Sequence, residues 1–317
     1  MKDIGGRVAV VTGASRGLGR AIAQTLFDHG MKVVLCARSG DELESFRTKL
    51  DRTGTRTLAV AVDVTVAADR ARLLAAAKQK FGQVDVLINN AGIDHPEFFS
   101  AADFARVEEI VELNVVALMG MTHLVLPDML QRRSGQIVNI ASMAGLAPVP
   151  YAAVYAGTKA AVINFSTSLR YEVAGQGVGV SVVCPYYVRE AGLFHDNSGG
   201  DSRQPTVSPE DVGDAVVSAI THNRARIISS PAIVKLTPLL TALSPALTYF
   251  AARTTGATSV MEKLAENVRQ REAARTVSAA AALSETRTTA TPAKAGTAPA
   301  PKKRATTPRR PRAGKAG

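Results

Sequence analysis

Short apolar runs recur along the first two thirds of the chain, each followed by a longer stretch with apolar residues at helical spacing. The runs are Arg7–Val11, Lys32–Cys36, Thr57–Val62, Val84–Ile88, Gln136–Ile140 and Gly179–Val183, with a short one near Arg226–Ile228. Near-continuous Val, Ile, Leu and Ala is the composition of strands buried on both faces. The alternation therefore predicts an α/β fold: one doubly wound, Rossmann-type domain with a seven-stranded parallel sheet and helices on both faces. Between the first two runs, Leu18, Ile22 and Leu26 share a helical face from Gly17 to His29, and Gly30 is the expected stop. Tyr155 to Ala174 reads as a long helix carrying Ala160, Ile163 and Leu169 inward.

Two later regions break this pattern. Residues 227–252 are strongly apolar, with Lys235 their only charge, and prolines at Pro231, Pro238 and Pro245 divide them into three short units. A membrane span needs about 20 apolar residues in one helix, and internal prolines disfavour that. The segment is expected to pack on the catalytic domain and wall the substrate pocket, or to dip into a membrane surface. Val260, Met261, Leu264 and Val268 then suggest one amphipathic helix within residues 256–275. From Thr276 the chain is Ala, Thr, Pro, Lys and Arg without an aromatic residue, a composition expected to be disordered. The partition is thus a catalytic domain at 1–255, a helix at 256–275 and a basic tail at 276–317.

Charge changes this picture less than its total suggests. The formal net charge is +11. Nine of the 38 Lys and Arg, but only Glu285 among the 27 acids, lie from Thr276 onward, so the preceding chain carries about +3. The tail could touch anionic membranes or nucleic acid nonspecifically, the latter with steep salt dependence. A solubilising tail is the plainer reading. Two cysteines, Cys36 and Cys184, and five scattered histidines offer no disulfide framework and no metal-ligand spacing. Met1-Lys2-Asp3 leads almost directly into the first apolar run, so no cleaved leader is expected. A cytoplasmic protein, peripheral to a membrane at most, is the expectation.

Thr12-Gly13-Ala14-Ser15-Arg16-Gly17-Leu18-Gly19 follows a strand and opens a helix. Glycines there permit a tight turn, and the helix N-terminus offers N–H groups and partial positive charge to a pyrophosphate. A carboxylate ending the second strand would favour a free ribose 2′-hydroxyl. The chain instead has Cys36-Ala37-Arg38-Ser39, with no acid until Asp41. Arg38, with Arg16 in the glycine turn, is suited to a 2′-phosphate, so NADP(H) is expected over NAD(H). Asp63 is a candidate partner of the adenine amino group. Asn90, Ala91 and Gly92 would line the ribose side, and Asn89 reads as a structural hydrogen-bonder.

Tyr155 and Lys159 are four residues apart, so on a helix the phenol and the ammonium share a face. Ser142 lies thirteen residues before Tyr155, and Asn114 falls in the apolar helical run Ile110–Met119. Together with T-G-x-x-x-G-x-G at Thr12–Gly19 and N-N-A-G at Asn89–Gly92, these residues resemble the short-chain dehydrogenase/reductase family over residues 3–230. The resemblance implies hydride transfer between a nicotinamide and a carbonyl or secondary alcohol. Tyr155 would be the acid/base, its pKa depressed by several units from about 10 with help from Lys159. Lys159 would also bond the nicotinamide ribose, Ser142 would hold the substrate oxygen, and Asn114 would support a water relay toward the lysine. Tyr151 is a rival phenol with no lysine four residues on. Pro185 and Val188 would stand at the nicotinamide end.

The chain departs from the family after the sixth strand, where Tyr186 replaces a glycine and Glu190 falls where a threonine is usual. That motivates an alternative, an NADP(H)-binding scaffold or sensor with weak or no catalysis. Residues 186–208, including His195, read as a substrate lid. The tyrosines Tyr186 and Tyr187 and the apolar 227–252 segment suggest a lipophilic substrate. Family members are commonly dimers or tetramers, so a homo-oligomer is expected.

Overall fold

The computed structural model describes residues 1–189, 205–254 and 258–270, with the backbone alone at 233 and 251. Glu190, His195, most of the 186–208 lid, residues 271–275 and the tail at 276–317 lie outside the described residues. The strands are β1 (Val8–Thr12), β2 (Lys32–Ala37), β3 (Thr57–Ala61), β4 (Val86–Asn89), β5 (Gly135–Ile140), β6 (Val178–Pro185) and β7 (Arg226–Ser229). They form one parallel sheet in the order β3-β2-β1-β4-β5-β6-β7. Each strand sits within three residues of its expected bounds. The seven strands and their parallel direction match the sequence reading.

Helices α1 (Gly17–Asp28), α2 (Gly40–Leu50) and α7 (Pro209–His222) cover one face. The other carries α3 (Ala67–Phe81), α5 (Leu118–Gln131) and α6 (Ala153–Glu172). Ile22 and Leu26 of α1 are fully buried against the sheet, each contributing about 1.5–3 kcal/mol. Helix α7 opens with a capping box: Ser208 accepts from the Asp211 N–H at 3.0 Å, and the Asp211 side chain accepts from the Ser208 N–H at 2.8 Å. It can approach α1 closely because Gly213 has no side chain, since a Cβ there would stand 2.3 Å from the Thr25 hydroxyl.

In α6 the buried stripe is Lys159, Val162, Ile163, Ser166 and Leu169, whereas Ala160 faces solvent. Ile163 and Leu169 are inward as expected and Ala160 is not, because it lies beside this stripe on the 3.6-residue wheel. Asn114 sits in a π-helical turn, Glu112–Ala117, joining α4 (Phe104–Val111) to α5. The run from Phe104 to Gln131 is long and apolar enough to cross a membrane. Its Met121, Val125 and Met129 are buried on the sheet instead.

The apolar segment breaks at its prolines, as its sequence suggests. Pro231 precedes a 3-10 turn (Ala232–Val234), Pro238 lies in the first turn of α8 (Thr237–Leu243), and Pro245 opens α9 (Pro245–Thr254). Helix α10, residues 258–270, buries Met261, Leu264, Ala265 and Val268, the amphipathic pattern read from the sequence. The compact body that contains all of these elements runs from Met1 to Arg271. At the sheet centre the chain leaves β1 and β4 in opposite directions, which opens a crevice at their C-terminal ends.

Candidate active site

A cleft of about 1070 Å³ occupies that crevice. Its dinucleotide half is built by the glycine turn. Gly13 and Gly17 have φ of +68° and +55°, and a Cβ on Gly19 would stand 2.1 Å from the Gly13 carbonyl oxygen, so only glycines close this turn. Thr12 ties it to the segment after β4. Its hydroxyl accepts from the N–H groups of Asn90 and Ala91, both at 3.0 Å, and the Asn90 amide donates back to the Thr12 carbonyl at 2.9 Å. Gly13, Ser15, Arg16, Gly17, Leu18 and Gly19 line the cleft, as do Arg38, Asp63, Asn90, Ala91 and Gly92. These residues fit a dinucleotide, with a bare backbone cradle at a helix N-terminus and two guanidinium groups at the adenosine end. Glu42, in the first turn of α2, lines the same end, an acid the sequence reading did not place. Asn89 is structural, donating to Thr122 at 3.1 Å and Asn139 at 2.8 Å. Burial pushes the Cys36 thiol up to about 12, so it stays a neutral core group.

Ser142, Tyr155 and Lys159 form a second cluster in the same cleft. Ser142 follows β5 and caps a 3-10 turn, Met143–Gly145, with its Oγ accepting from the Ala144 N–H at 3.1 Å. Gly145 presses this turn onto α6, for a Cβ there would lie 2.6 Å from the Lys159 carbonyl carbon. The packing brings the Ser142 hydroxyl into hydrogen-bonding reach of the Tyr155 phenol. Lys159 donates to the Ile140 carbonyl at 3.0 Å, with its ammonium 5.5 Å from the centre of the Tyr155 ring. Asn114 lies behind the cleft wall: its Oδ1 accepts from the Ile93 N–H at 2.9 Å, and its Nδ2 donates to the Ile93 carbonyl at 2.9 Å and to Thr158 at 3.1 Å.

The titration of Tyr155 differs from the sequence expectation. In the protein without nucleotide, burial and then the nearby Asp94 carboxylate push the phenol above its ordinary value, and only the Ser142 hydroxyl pulls it down. Burial also acts on Lys159, lowering its pKa to about 8. The phenol is thereby held neutral, the form that can donate a proton. Tyr151 has its ring 4.9 Å from that of Phe98 and is absent from the cleft lining.

The far half of the cleft is walled by apolar groups. Val234, Leu240, Leu247 and Ala252 come from the proline-divided segment, and Met261 and Leu264 from α10. Tyr186 and Tyr187 stand between the halves, their rings 4.6 Å apart, and the Tyr187 hydroxyl reaches Met261 Sδ at 3.6 Å. Pro185 and Val188 line the cleft. Val188 also pairs with Val207.

A family model described as short chain dehydrogenase matches residues 7–198. The chain belongs to the short-chain dehydrogenase/reductase family. It is 36% identical over 273 residues to a protein named ketoacyl reductase HetN from Nostoc sp., covering 84% of this chain and 95% of that one. Two solved structures share the fold at TM-scores of 0.70 and 0.66. The first is a short-chain dehydrogenase/reductase from Burkholderia phymatum in complex with NAD, 28% identical, covering 78% of this chain and 96% of that one. The second is a serine dehydrogenase complexed with NADP+, 29% identical, covering 71% and 95%. This family member is accordingly an NAD(P)-dependent oxidoreductase acting on CH–OH and C=O groups.

Sequence reasoning missed several residues of the site. Asp94 stands two positions after Gly92 in the cleft lining, and an acid so close to N-N-A-G was the available signal. Gly145, Thr158 and the Ile140 carbonyl left none, because their roles arise from contacts between distant segments.

Proposed function

We propose that the protein transfers hydride between NADP(H) and a carbonyl or secondary alcohol of a lipophilic substrate, with Tyr155 as the acid/base. The observation that carries this reading is the convergence of Ser142, Tyr155 and Lys159 in one cleft that joins a dinucleotide cradle to an apolar chamber. Bound nicotinamide supplies the hydride donor or acceptor. In reduction, the Tyr155 phenol gives its proton to the substrate oxygen while the Ser142 hydroxyl donates a hydrogen bond to the same atom. Lys159 holds positive charge one helical turn away and stabilises the phenolate that results. The backbone of Gly13–Gly19 receives the pyrophosphate, and Asp63 stands near the adenine. Arg16 and Arg38 favour the 2′-phosphate, against one opposing carboxylate at Glu42.

The apolar far wall supports a lipophilic substrate, as does the likeness to a named ketoacyl reductase. We place the protein in the cytoplasm, as a homo-oligomer able to rest on a membrane through its apolar helices. The test is turnover of a panel of long-chain ketones with NADPH. Tyr155→Phe should lower kcat by about a thousandfold, within the range for general acid–base catalysis, while changing the NADPH Kd less than threefold, and Ser142→Ala should follow with a smaller loss. NADPH binding without turnover of any carbonyl would overturn the reading in favour of a nucleotide-binding scaffold.

A further inference from the structure

A carboxyl group stands on the cleft near Tyr155 and Lys159, and the reaction described above does not use it. Asp94 lines the cleft, and its Oδ1 is buried without a hydrogen-bond partner. Its charge acts on Tyr155, Lys159 and Tyr187, which places it among those three side chains. The backbone around it is held on both sides. Asn114 grips Ile93 as described, the Glu97 N–H donates to the Tyr151 carbonyl at 2.8 Å, and the Phe98 ring meets the Tyr151 ring edge-on. Proteins seldom leave a buried polar atom unpaired, and one that lines a cleft is open to a partner from water or from a bound molecule. A second orphan, Thr258 Oγ1 on α10, is buried on the same cleft.

The surroundings decide which ligand group fits. A substrate cation is disfavoured by the Lys159 ammonium, which already acts on Asp94. Burial pushes the Asp94 carboxyl up to about 7, and the His95 N–H and Lys159 offset this only in part. Near neutrality much of it is the neutral acid, a hydrogen-bond donor.

We propose that Asp94 is a specificity-determining residue, whose carboxyl forms a hydrogen bond to a second oxygen of the substrate a few bonds from the reacting carbonyl. The cleft then selects carbonyl compounds that carry an ester or thioester oxygen beside an apolar tail over simple ketones of equal length. This inference rests on the Tyr155 reading of the same site.

The experiment compares kcat/KM for ethyl 3-oxodecanoate and for 2-dodecanone with NADPH, in wild type, Asp94→Asn and Asp94→Leu, with the NADPH Kd as the control for folding. The wild type should prefer the oxoester. Asp94→Leu should lower that preference about tenfold, mainly through the oxoester KM, whereas Asp94→Asn, which keeps a donor, should retain most of it. The wild-type preference should also fall as pH rises from about 6 to about 9, and that of Asp94→Asn should not. Lys159 and Tyr155 on α6 and Tyr187 after β6 face the same carboxyl and feel its charge, but they act on both substrates alike, so the ratio isolates Asp94. An unchanged ratio in Asp94→Leu with NADPH still bound would overturn the inference alone. Should that variant lose NADPH binding, equal pH dependence of the ratio in wild type and Asp94→Asn would overturn it. Wild-type turnover of neither ketone would overturn the parent reading and the inference together.

Discussion

Asn114 grips the backbone of Ile93 from both directions, its Oδ1 accepting the N–H and its Nδ2 donating to the carbonyl, each at 2.9 Å. A π-helical turn supplies the residue, a local widening often found at functional sites. The grip fixes the segment between Gly92 and Asp94, and so sets the wall against which Lys159 and the substrate rest. Gly92 leaves room for it, since a Cβ there would come within 3.0 Å of Asn114 Oδ1 and 3.4 Å of Lys159 Nζ.

Replacing Asn114 by Ala strands the N–H and carbonyl of Ile93 together with the Thr158 hydroxyl contact. The loss should cost about 2 kcal/mol of stability and lower Tm by about 5 °C. Because the segment at Gly92, which lies against Lys159, loosens with it, kcat should fall at least tenfold. Calorimetry and steady-state kinetics on the one variant check both effects. Full activity with wild-type Tm would contradict the proposed grip.

Gly145 sets the distance between Ser142 and Tyr155. Gly145→Val would drive a side chain into the Lys159 and Ala160 backbone, where a Cβ already meets atoms at 2.6 and 2.7 Å. The 3-10 turn must then back away from α6 and take Ser142 with it. The expected result is a drop in kcat of about a hundredfold, the scale for a misplaced catalytic group, with NADPH affinity held within threefold. A crystal structure of the variant should show the serine displaced.

Arg16, Arg38 and Glu42 line the same cleft. Arg38→Ala should raise the NADPH KM about tenfold, in line with a charge-assisted bond of about 1.5–3 kcal/mol, and leave the NADH KM within twofold. Glu42→Gln should act in the opposite sense and improve NADPH. Equal kcat/KM for the two nucleotides in the wild type would refute the preference.

The buried Asp94 carboxyl ties stability to pH. Its pKa is near 3.8 unfolded and about 7 folded, so between those values the folded chain binds more protons and stability falls as pH rises. The cost is complete above about pH 7. Lys159 works in the reverse sense: its pKa is lowered from 10.5 to about 8, so its burial cost is full below pH 8 and eases toward pH 10.5. Asp94→Asn removes the first effect; it also takes away the carboxylate that raises Lys159, but the Lys159 effect changes with pH only above about 8. Its Tm advantage over wild type should grow by about 5 °C between pH 5 and pH 8, read by thermal unfolding in matched buffers. A constant difference across that window would show the carboxyl to be ionised at both pH values.

Helices α8 and α9 line the cleft with one face and leave apolar side chains outside on the other, with Leu243 76% and Phe250 64% exposed. Lys235 and Arg253 flank the pair, and the basic tail follows in sequence. Such a surface should adsorb to anionic bilayers. The full chain should co-sediment with phosphatidylserine-rich vesicles. Leu243→Glu with Phe250→Glu should lower that binding at least tenfold, and truncation at Thr276 should remove most of its salt dependence. Unchanged sedimentation of the double variant would exclude the helices as the contact.

Much of this protein is local in origin and therefore legible in its sequence. Buried parallel strands read as apolar runs because both of their faces are covered, and Gly13, Gly17 and Gly19 announce a turn that other residues cannot close. Tyr155 and Lys159 declare a shared face through helical spacing, and prolines at 231, 238 and 245 divide the late apolar segment where the helices break. What tertiary structure decided is whatever depends on segments meeting. The closeness of Ser142 to Tyr155 rests on a glycine packed against another helix, and the fixing of Ile93 rests on an asparagine 21 residues away. The phenol's titration follows the depth of its burial rather than the lysine four residues on. Asp94 acquires its character in the same way, for a carboxyl's charge state is set by the water and ions around it, and only the folded chain removes the one and arranges the other.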